Sequence, residues 1–117
     1  MKNIISLLLI GFLAFNMQAQ QVLASEVTPQ IEQQVEKEVQ ILKNKLALTG
    51  KQESLITLKL KNFGVREQEI IKSSISPEEK KKAILALKQN EVLEMRNILT
   101  DAQYNQYVSM ILEKNKK

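Results

Sequence analysis

The sequence has 117 residues, which is enough for one small domain. It contains no His, Cys or Trp, so the usual general base, thiolate nucleophile and soft metal ligands are absent. Its three glycines are scattered and cannot build a phosphate-binding loop. We therefore predict a non-enzymatic protein with no catalytic residues, no cofactor and no metal site. The net charge of +4 favours acidic partners and is too small to indicate nucleic acid binding.

The N-terminal segment has the layout of a secretory signal peptide. Lys2 precedes an apolar run of 12 residues, 4–15, and small or polar residues follow it. Because a span needs roughly 20 apolar residues, we expect cleavage rather than anchoring. Cleavage after Ala19 and cleavage after Ala24 both fit. The second better satisfies the requirement for small residues at positions −3 and −1 before the cleavage site. We expect residues 1–24 to be removed and residues 25–117 to form one periplasmic domain with no stable membrane insertion.

The first predicted helix covers about residues 29–47. Thr28 suits the N-cap, and Pro29 suits the first helical position, where its missing N–H costs nothing. An apolar stripe at helical spacing follows, made of Ile31, Val35, Val39, Leu42 and Leu46.

The second predicted helix covers about residues 50–73. Its apolar face contains Ile56, Leu60, Phe63 and Ile70, together with Glu67, and is widened by Leu55, Leu58 and Val65. Gly64 lies in the middle and costs roughly 1 kcal/mol relative to alanine. We therefore expect a bend or a close helix crossing at Gly64.

A capping box at Ser76-Pro77-Glu78-Glu79 predicts the third helix, over about residues 77–98. Its stripe contains Ile84, Leu87, Glu91, Met95 and Ile98, flanked by Leu85, Val92 and Leu99. The last helix, over about residues 101–113, carries Tyr104, Tyr107, Val108, Ile111 and Leu112. No sustained two-residue alternation predicts a strand. The expected fold class is therefore all-α with four helices.

One motif occurs twice, at positions 48–52 and 99–103, and both copies read L-T-x-x-Q. Each copy has the pattern of a capping box, with Thr at the N-cap, Gln three positions later and a Leu before the cap. The motif residues are Leu48, Thr49, Gln52, Leu99, Thr100 and Gln103. Taken alone, either copy could be an ordinary helix start. The pair favours a repeated helical hairpin whose two caps lie close in space.

With this motif pair, the chain resembles the Spy/CpxP-like L-T-x-x-Q family of periplasmic proteins. The resemblance covers most of the mature chain and implies an elongated, curved cradle, usually an antiparallel homodimer. It also implies binding of unfolded or aggregation-prone proteins without ATP, a role in envelope stress and, in some relatives, inhibition of a sensor kinase. Gly50 within the first motif departs from the pattern, and without histidine the metal binding of a zinc-resistance branch is not expected here.

Client binding is expected at cations on the second and third helices. The candidates are Lys59, Lys61, Arg66, Lys81, Lys88 and Arg96. Beside exposed Leu and Ile residues, such cations attract acidic segments of unfolded chains, which apolar contacts then hold. The other interpretation is an ordinary solvated face with lysine stems covering the core.

The sequence favours an exported, ATP-independent chaperone or stress adaptor with unfolded or partly folded proteins as partners. Signal removal leaves 17 − 1 = 16 basic and 13 acidic residues, a net charge of +3 that is modest for a client surface. One alternative is a regulatory module that inhibits an envelope-stress sensor protein. Another is an amphipathic protein of the membrane surface.

Overall fold

A computed structural model describes residues 26–115, and the expected signal peptide lies outside them. The described chain forms four helices joined by short turns, without strands. They are α1 (Pro29–Leu46), α2 (Gly50–Lys72), α3 (Pro77–Met95) and α4 (Asp101–Asn115). The predicted all-α class and the four helices are confirmed. The third helix ends three residues earlier than predicted because residues 96–98 form a turn.

Helix α1 supplies one complete side of the core. Thr28 caps it, with its hydroxyl accepting a hydrogen bond from the Ile31 amide at 3.2 Å. The whole predicted stripe is buried: Ile31, Val35, Val39, Leu42 and Leu46. After Leu46 the chain turns at Ala47, whose left-handed backbone (φ 55°, ψ 55°) ends the helix. This turn brings Leu48 back into the core.

Helices α2 and α3 form an antiparallel hairpin. Ser76 caps α3 by accepting from the Glu79 amide at 3.2 Å. Lys80 Nζ then reaches back to the Ile71 carbonyl oxygen at 2.7 Å, near the end of α2. Ile56 and Met95 have no exposed surface at all, and together they fill the centre of the molecule.

Gly64 permits the close approach of α2 to α1. A Cβ atom at this position would lie 2.9 Å from Ile31 Cγ2, nearer than real Cβ contacts allow. The prediction of a close helix crossing at Gly64 is therefore confirmed.

Helix α4 packs mainly against α1 rather than against its chain neighbour α3. The closest helix pairs are thus α1 with α2, α2 with α3, and α1 with α4. This differs from the expected second hairpin of α3 and α4. Gln103 Nε2 donates to the Leu46 carbonyl oxygen and Gln106 Nε2 to that of Lys45, and Tyr107 of α4 is buried in the same core cluster as the α1 stripe.

Candidate functional site

The two L-T-x-x-Q motifs are complete capping boxes at the starts of α2 and α4. Gln52 N–H donates to Thr49 Oγ1 at 3.1 Å, and Thr49 N–H donates to Gln52 Oε1 at 3.0 Å. In the second copy, Gln103 N–H donates to Thr100 Oγ1 at 3.2 Å and Thr100 N–H to Gln103 Oε1 at 2.9 Å. The predicted local role of these four residues is confirmed.

The two boxes also bind each other. Gln52 Nε2 donates to Gln103 Oε1 at 2.8 Å, and Gln103 Nε2 donates to Gln52 Oε1 at 3.2 Å. The second Nε2 proton of each glutamine goes to a backbone carbonyl oxygen just before the other motif. Gln52 donates to Ile98 O at 3.2 Å, and Gln103 donates to Leu46 O at 3.1 Å.

The expectation that the two caps lie close in space is therefore confirmed. Leu48 and Leu99, the leucines before the caps, are both buried in the core cluster. The paired motifs have a structural role, because they fix where α2 and α4 begin relative to each other.

Four leucines of the α2–α3 hairpin are exposed instead of buried, and we call them the leucine face: Leu55, Leu58, Leu85 and Leu93. Leu55 and Leu58, which widen the apolar face of the second helix, and Leu85, which flanks that of the third, therefore lie outside the buried core. The buried residues of both helices, including Leu60 and Leu87, already fill the contact with neighbouring helices. A helix in this position buries only a stripe, so apolar residues outside the stripe remain in solvent.

An ion pair lies beside two members of the leucine face, Leu58 and Leu93. Lys59 Nζ lies 3.0 Å from Glu94 Oε1, linking α2 to α3. Leu58 and Leu93 each precede one member of this pair. Because the helices run antiparallel, the two leucines occupy equivalent positions beside the ion pair, and each is 60% exposed. Two exposed leucines therefore flank a fixed pair of opposite charges.

The cations predicted to bind clients do not share one surface. Lys59 is directed toward α3, whereas Lys61 Nζ lies 3.9 Å from Glu32 Oε1 on α1. Lys88 Nζ lies 3.8 Å from both Glu67 Oε1 and Glu91 Oε2. These three lysines therefore connect helices within the molecule.

The remaining candidates lie in three different environments. Arg66 is buried, which contradicts its assignment to an exposed face. Its guanidinium carbon lies 5.7 Å from the centre of the Phe63 ring, and burial lowers its pKa. The guanidinium of Arg96 lies over the Tyr104 ring at 5.4 Å. Lys81 is exposed on α3.

Glu91 is a buried carboxyl on α3 that was predicted to lie on the apolar stripe of its helix. It is 6% exposed, and burial raises its pKa to about 7. Glu38 and Glu67 also raise this pKa, while Lys88 opposes them. Burial, with help from Glu91 and Glu38, likewise raises the pKa of Tyr107 on α4. Burial next to α4 therefore favours the neutral, protonated forms of both groups.

Across residues 26–115, no helix is long and apolar enough to cross a membrane. The same residues contain no group of three or more His, Cys, Asp or Glu side chains placed to hold a metal ion. Comparison of the chain with protein-family models, with curated proteins and with solved structures gave no match. Function is therefore argued from the geometry of these surfaces.

Proposed function

We propose that the protein is an exported, ATP-independent chaperone or stress adaptor that holds partly unfolded proteins on the leucine face. The observation that carries this proposal is the exposure of Leu58 and Leu93 on either side of the Lys59–Glu94 ion pair. Exposed apolar patches on small proteins mark surfaces that bind other molecules. Unfolded chains present complementary apolar segments.

The exposed aliphatic surface continues toward the turn of the hairpin. Ile71 is 45% exposed and Ile75 is 38% exposed. Lys81 and Lys82 are exposed on the first turns of α3. Cations at this end attract acidic segments at long range, and the aliphatic residues provide short-range contact. Binding of this kind is reversible and needs no nucleotide.

Aggregation suppression tests the proposal. Several unrelated proteins would be diluted from denaturant with the purified protein at near-stoichiometric amounts, with and without ATP. We expect suppression that is independent of ATP and that weakens as salt is raised, because screening reduces the electrostatic attraction. A protein that protects none of the clients is not a chaperone of this kind.

A regulatory module that inhibits an envelope-stress sensor is the second candidate. The reciprocal Gln52–Gln103 contact favours it, since the contact holds the start of α2 and the start of α4 in one arrangement. A surface fixed in this way suits a folded partner, which needs little rearrangement on binding. A single saturable partner in the exported fraction, with no effect on aggregation, would identify this role.

We also propose that the protein forms a homodimer. A small chain buries little core, and association would cover part of its exposed aliphatic surface. Solution mass measured by light scattering tests this directly. The same measurement on a Leu58→Gln/Leu93→Gln variant shows whether the leucine face lies in the dimer contact or remains open to clients.

A further inference from the structure

Charged side chains from three helices converge on a small cavity inside the molecule. The cavity has a volume of about 30 Å³, and its lining includes Glu38 of α1, Glu67 of α2, and Lys88 and Glu91 of α3. Lys88 Nζ lies 3.8 Å from both Glu67 Oε1 and Glu91 Oε2. Three carboxyls therefore line one cavity with a single ammonium, and Glu91 is the carboxyl that is buried.

Helix α4 covers Glu91 from the remaining side. A groove of about 490 Å³ separates α4 from α1 and α3, and both Glu91 and Tyr107 line it. Burial raises the pKa of Tyr107 further above neutral, so its phenol stays protonated and adds no charge. Lys114 lines the groove from the exposed last turn of α4. The titratable and charged groups around Glu91 are thus Glu38, Glu67, Lys88, Tyr107 and Lys114.

The second half of α4 is packed less deeply than the other walls of this groove. Among residues 101–114, only Tyr107 is buried, whereas α1 buries its whole five-residue stripe. The hydrogen bonds from α4 to α1 come from Gln103 and Gln106, in the first two turns. Segments with few buried apolar contacts open at the lowest cost in free energy. The part of α4 beyond Gln106 is therefore the wall beside Glu91 that opens most easily.

We propose that this part of α4 is a pH-gated cover, which opens as Glu91 loses its proton and closes when the proton returns. In the closed form, a proton-free carboxylate would lie out of water, with Glu38 and Glu67 on the same cavity. Opening lets water reach the carboxylate and removes most of this cost. A protonated Glu91 carries no charge, so the closed form then keeps its packing without penalty.

The first turn of α4 acts as the hinge of the cover. Gln103 donates to the Leu46 carbonyl oxygen on α1 and to Gln52 on α2, so this turn stays attached. Leu42 and Val92, which line the groove, become more accessible when the second half of α4 opens. The cover does not depend on the proposed function, although the apolar surface that it uncovers would add to the area open to clients.

Proton linkage sets the direction and size of the effect. In the closed form, burial raises the pKa of Glu91 from 4.5 to about 7, and in the open form the pKa returns toward 4.5. The closed form is therefore most favoured below pH 4.5 and loses this advantage as the pH rises through 7. Between pH 6 and pH 8, the ratio of open to closed molecules should rise about tenfold.

Amide hydrogen exchange at pH 6 and pH 8, corrected for the intrinsic rate at each pH, measures the opening. We expect residues 108–113 of α4 to be less protected than residues 56–66 of α2, and their protection to fall about tenfold from pH 6 to pH 8. Equal protection of the two segments would overturn the cover, because α4 would then open only when the whole molecule unfolds. Lower protection of α4 that does not change with pH would overturn it as well, since Glu91 would not control the opening.

A matched pair of variants assigns the effect to one carboxyl. Glu91→Gln should remove the pH dependence of exchange in α4, while Glu36→Gln, at an exposed carboxyl on α1, should keep it. A tenfold change that survives in Glu91→Gln refutes the role of this carboxyl. Circular dichroism shows whether both variants are folded, and the comparison of α4 with α2 in the unaltered protein decides the question without them. Failure of aggregation suppression would remove the proposed function and leave the cover standing.

Discussion

The side-chain amides of Gln52 and Gln103 donate to each other, with Nε2 to Oε1 distances of 2.8 and 3.2 Å. Each amide also completes its own capping box through Oε1. A capping box accepts either Glu or Gln at this position. Only Gln has the N–H protons that reach the other motif, so the cross-contact explains the amide at both positions.

Replacing Gln52 with Glu separates the two roles of this side chain. The carboxylate can still accept from the Thr49 amide, but it cannot donate to Ile98 O or Gln103 Oε1. We expect the free energy of unfolding to fall by about 1 to 3 kcal/mol, because Ile98 O and Gln103 Oε1 each lose a hydrogen bond from the Gln52 amide. Urea unfolding measures it.

The control for this change is Gln106→Glu on α4, where one exposed hydrogen bond to the Lys45 carbonyl oxygen is lost. We expect a smaller effect there, within about 1 kcal/mol. If Gln52→Glu is no more harmful than Gln106→Glu, the reciprocal amides do not stabilise the fold.

Gly64→Ala should destabilise the protein although alanine is the better helix former. The added Cβ atom meets Ile31 Cγ2 at 2.9 Å, and that overlap opposes a gain in helix propensity of roughly 1 kcal/mol. Ile31→Leu removes the branched methyl group and should recover part of the loss in the double variant. Thermal unfolding of Gly64→Ala, Ile31→Leu and the double variant measures how far the two substitutions depend on each other in their effect on stability.

Gly50→Ala is the matched control, since its added Cβ would have nothing within 4 Å. We expect it to be neutral or stabilising by up to about 1 kcal/mol. Equal gains at both glycines would contradict a close crossing at Gly64.

Glu91 should make the folded state less stable as the pH rises from 4.5 to 7. Burial raises its pKa from 4.5 to about 7, so the folded protein binds this proton more tightly than the unfolded chain does. The stabilisation is complete below pH 4.5 and is lost through pH 7, and its size is roughly 3 kcal/mol. Glu91→Gln should abolish this pH-dependent part of the free energy of unfolding.

The measurement is urea unfolding of the unaltered protein and of Glu91→Gln at pH 4 and pH 8. The difference between the two proteins isolates Glu91 from the other carboxyls. We expect Glu91→Gln to be relatively more stable at pH 8 than at pH 4. A difference that does not change with pH would show that the carboxyl is not buried in solution.

Leu58→Gln/Leu93→Gln should reduce aggregation suppression with little change in stability. Both side chains are 60% exposed, and exposed substitutions usually change the free energy of unfolding by no more than about 0.5 kcal/mol each. Leu112→Gln on α4 is the control, because Leu112 is 59% exposed and lies outside the leucine face. If Leu112→Gln loses as much aggregation suppression as Leu58→Gln/Leu93→Gln, the leucine face has no special role.

Much of the secondary structure follows from local chemistry in the sequence. Thr28, Thr49 and Ser76 mark helix starts because their hydroxyls accept from amides only three residues away. The α1 stripe was predicted completely, since a helix with one buried side repeats its apolar residues at its own period. Gly64 was also informative, because glycine inside a long helix is costly without a packing reason.

The tertiary structure decided which apolar and charged residues meet each other. Leu55, Leu58 and Leu85 fit a helical face as well as the buried residues do, and only the position of neighbouring helices left them exposed. The burial of Arg66 and of Glu91 likewise depends on elements distant in the chain. Helix starts are determined by contacts within one helical turn. The exposure and the pKa of a side chain depend on helices that pack against it from distant parts of the chain.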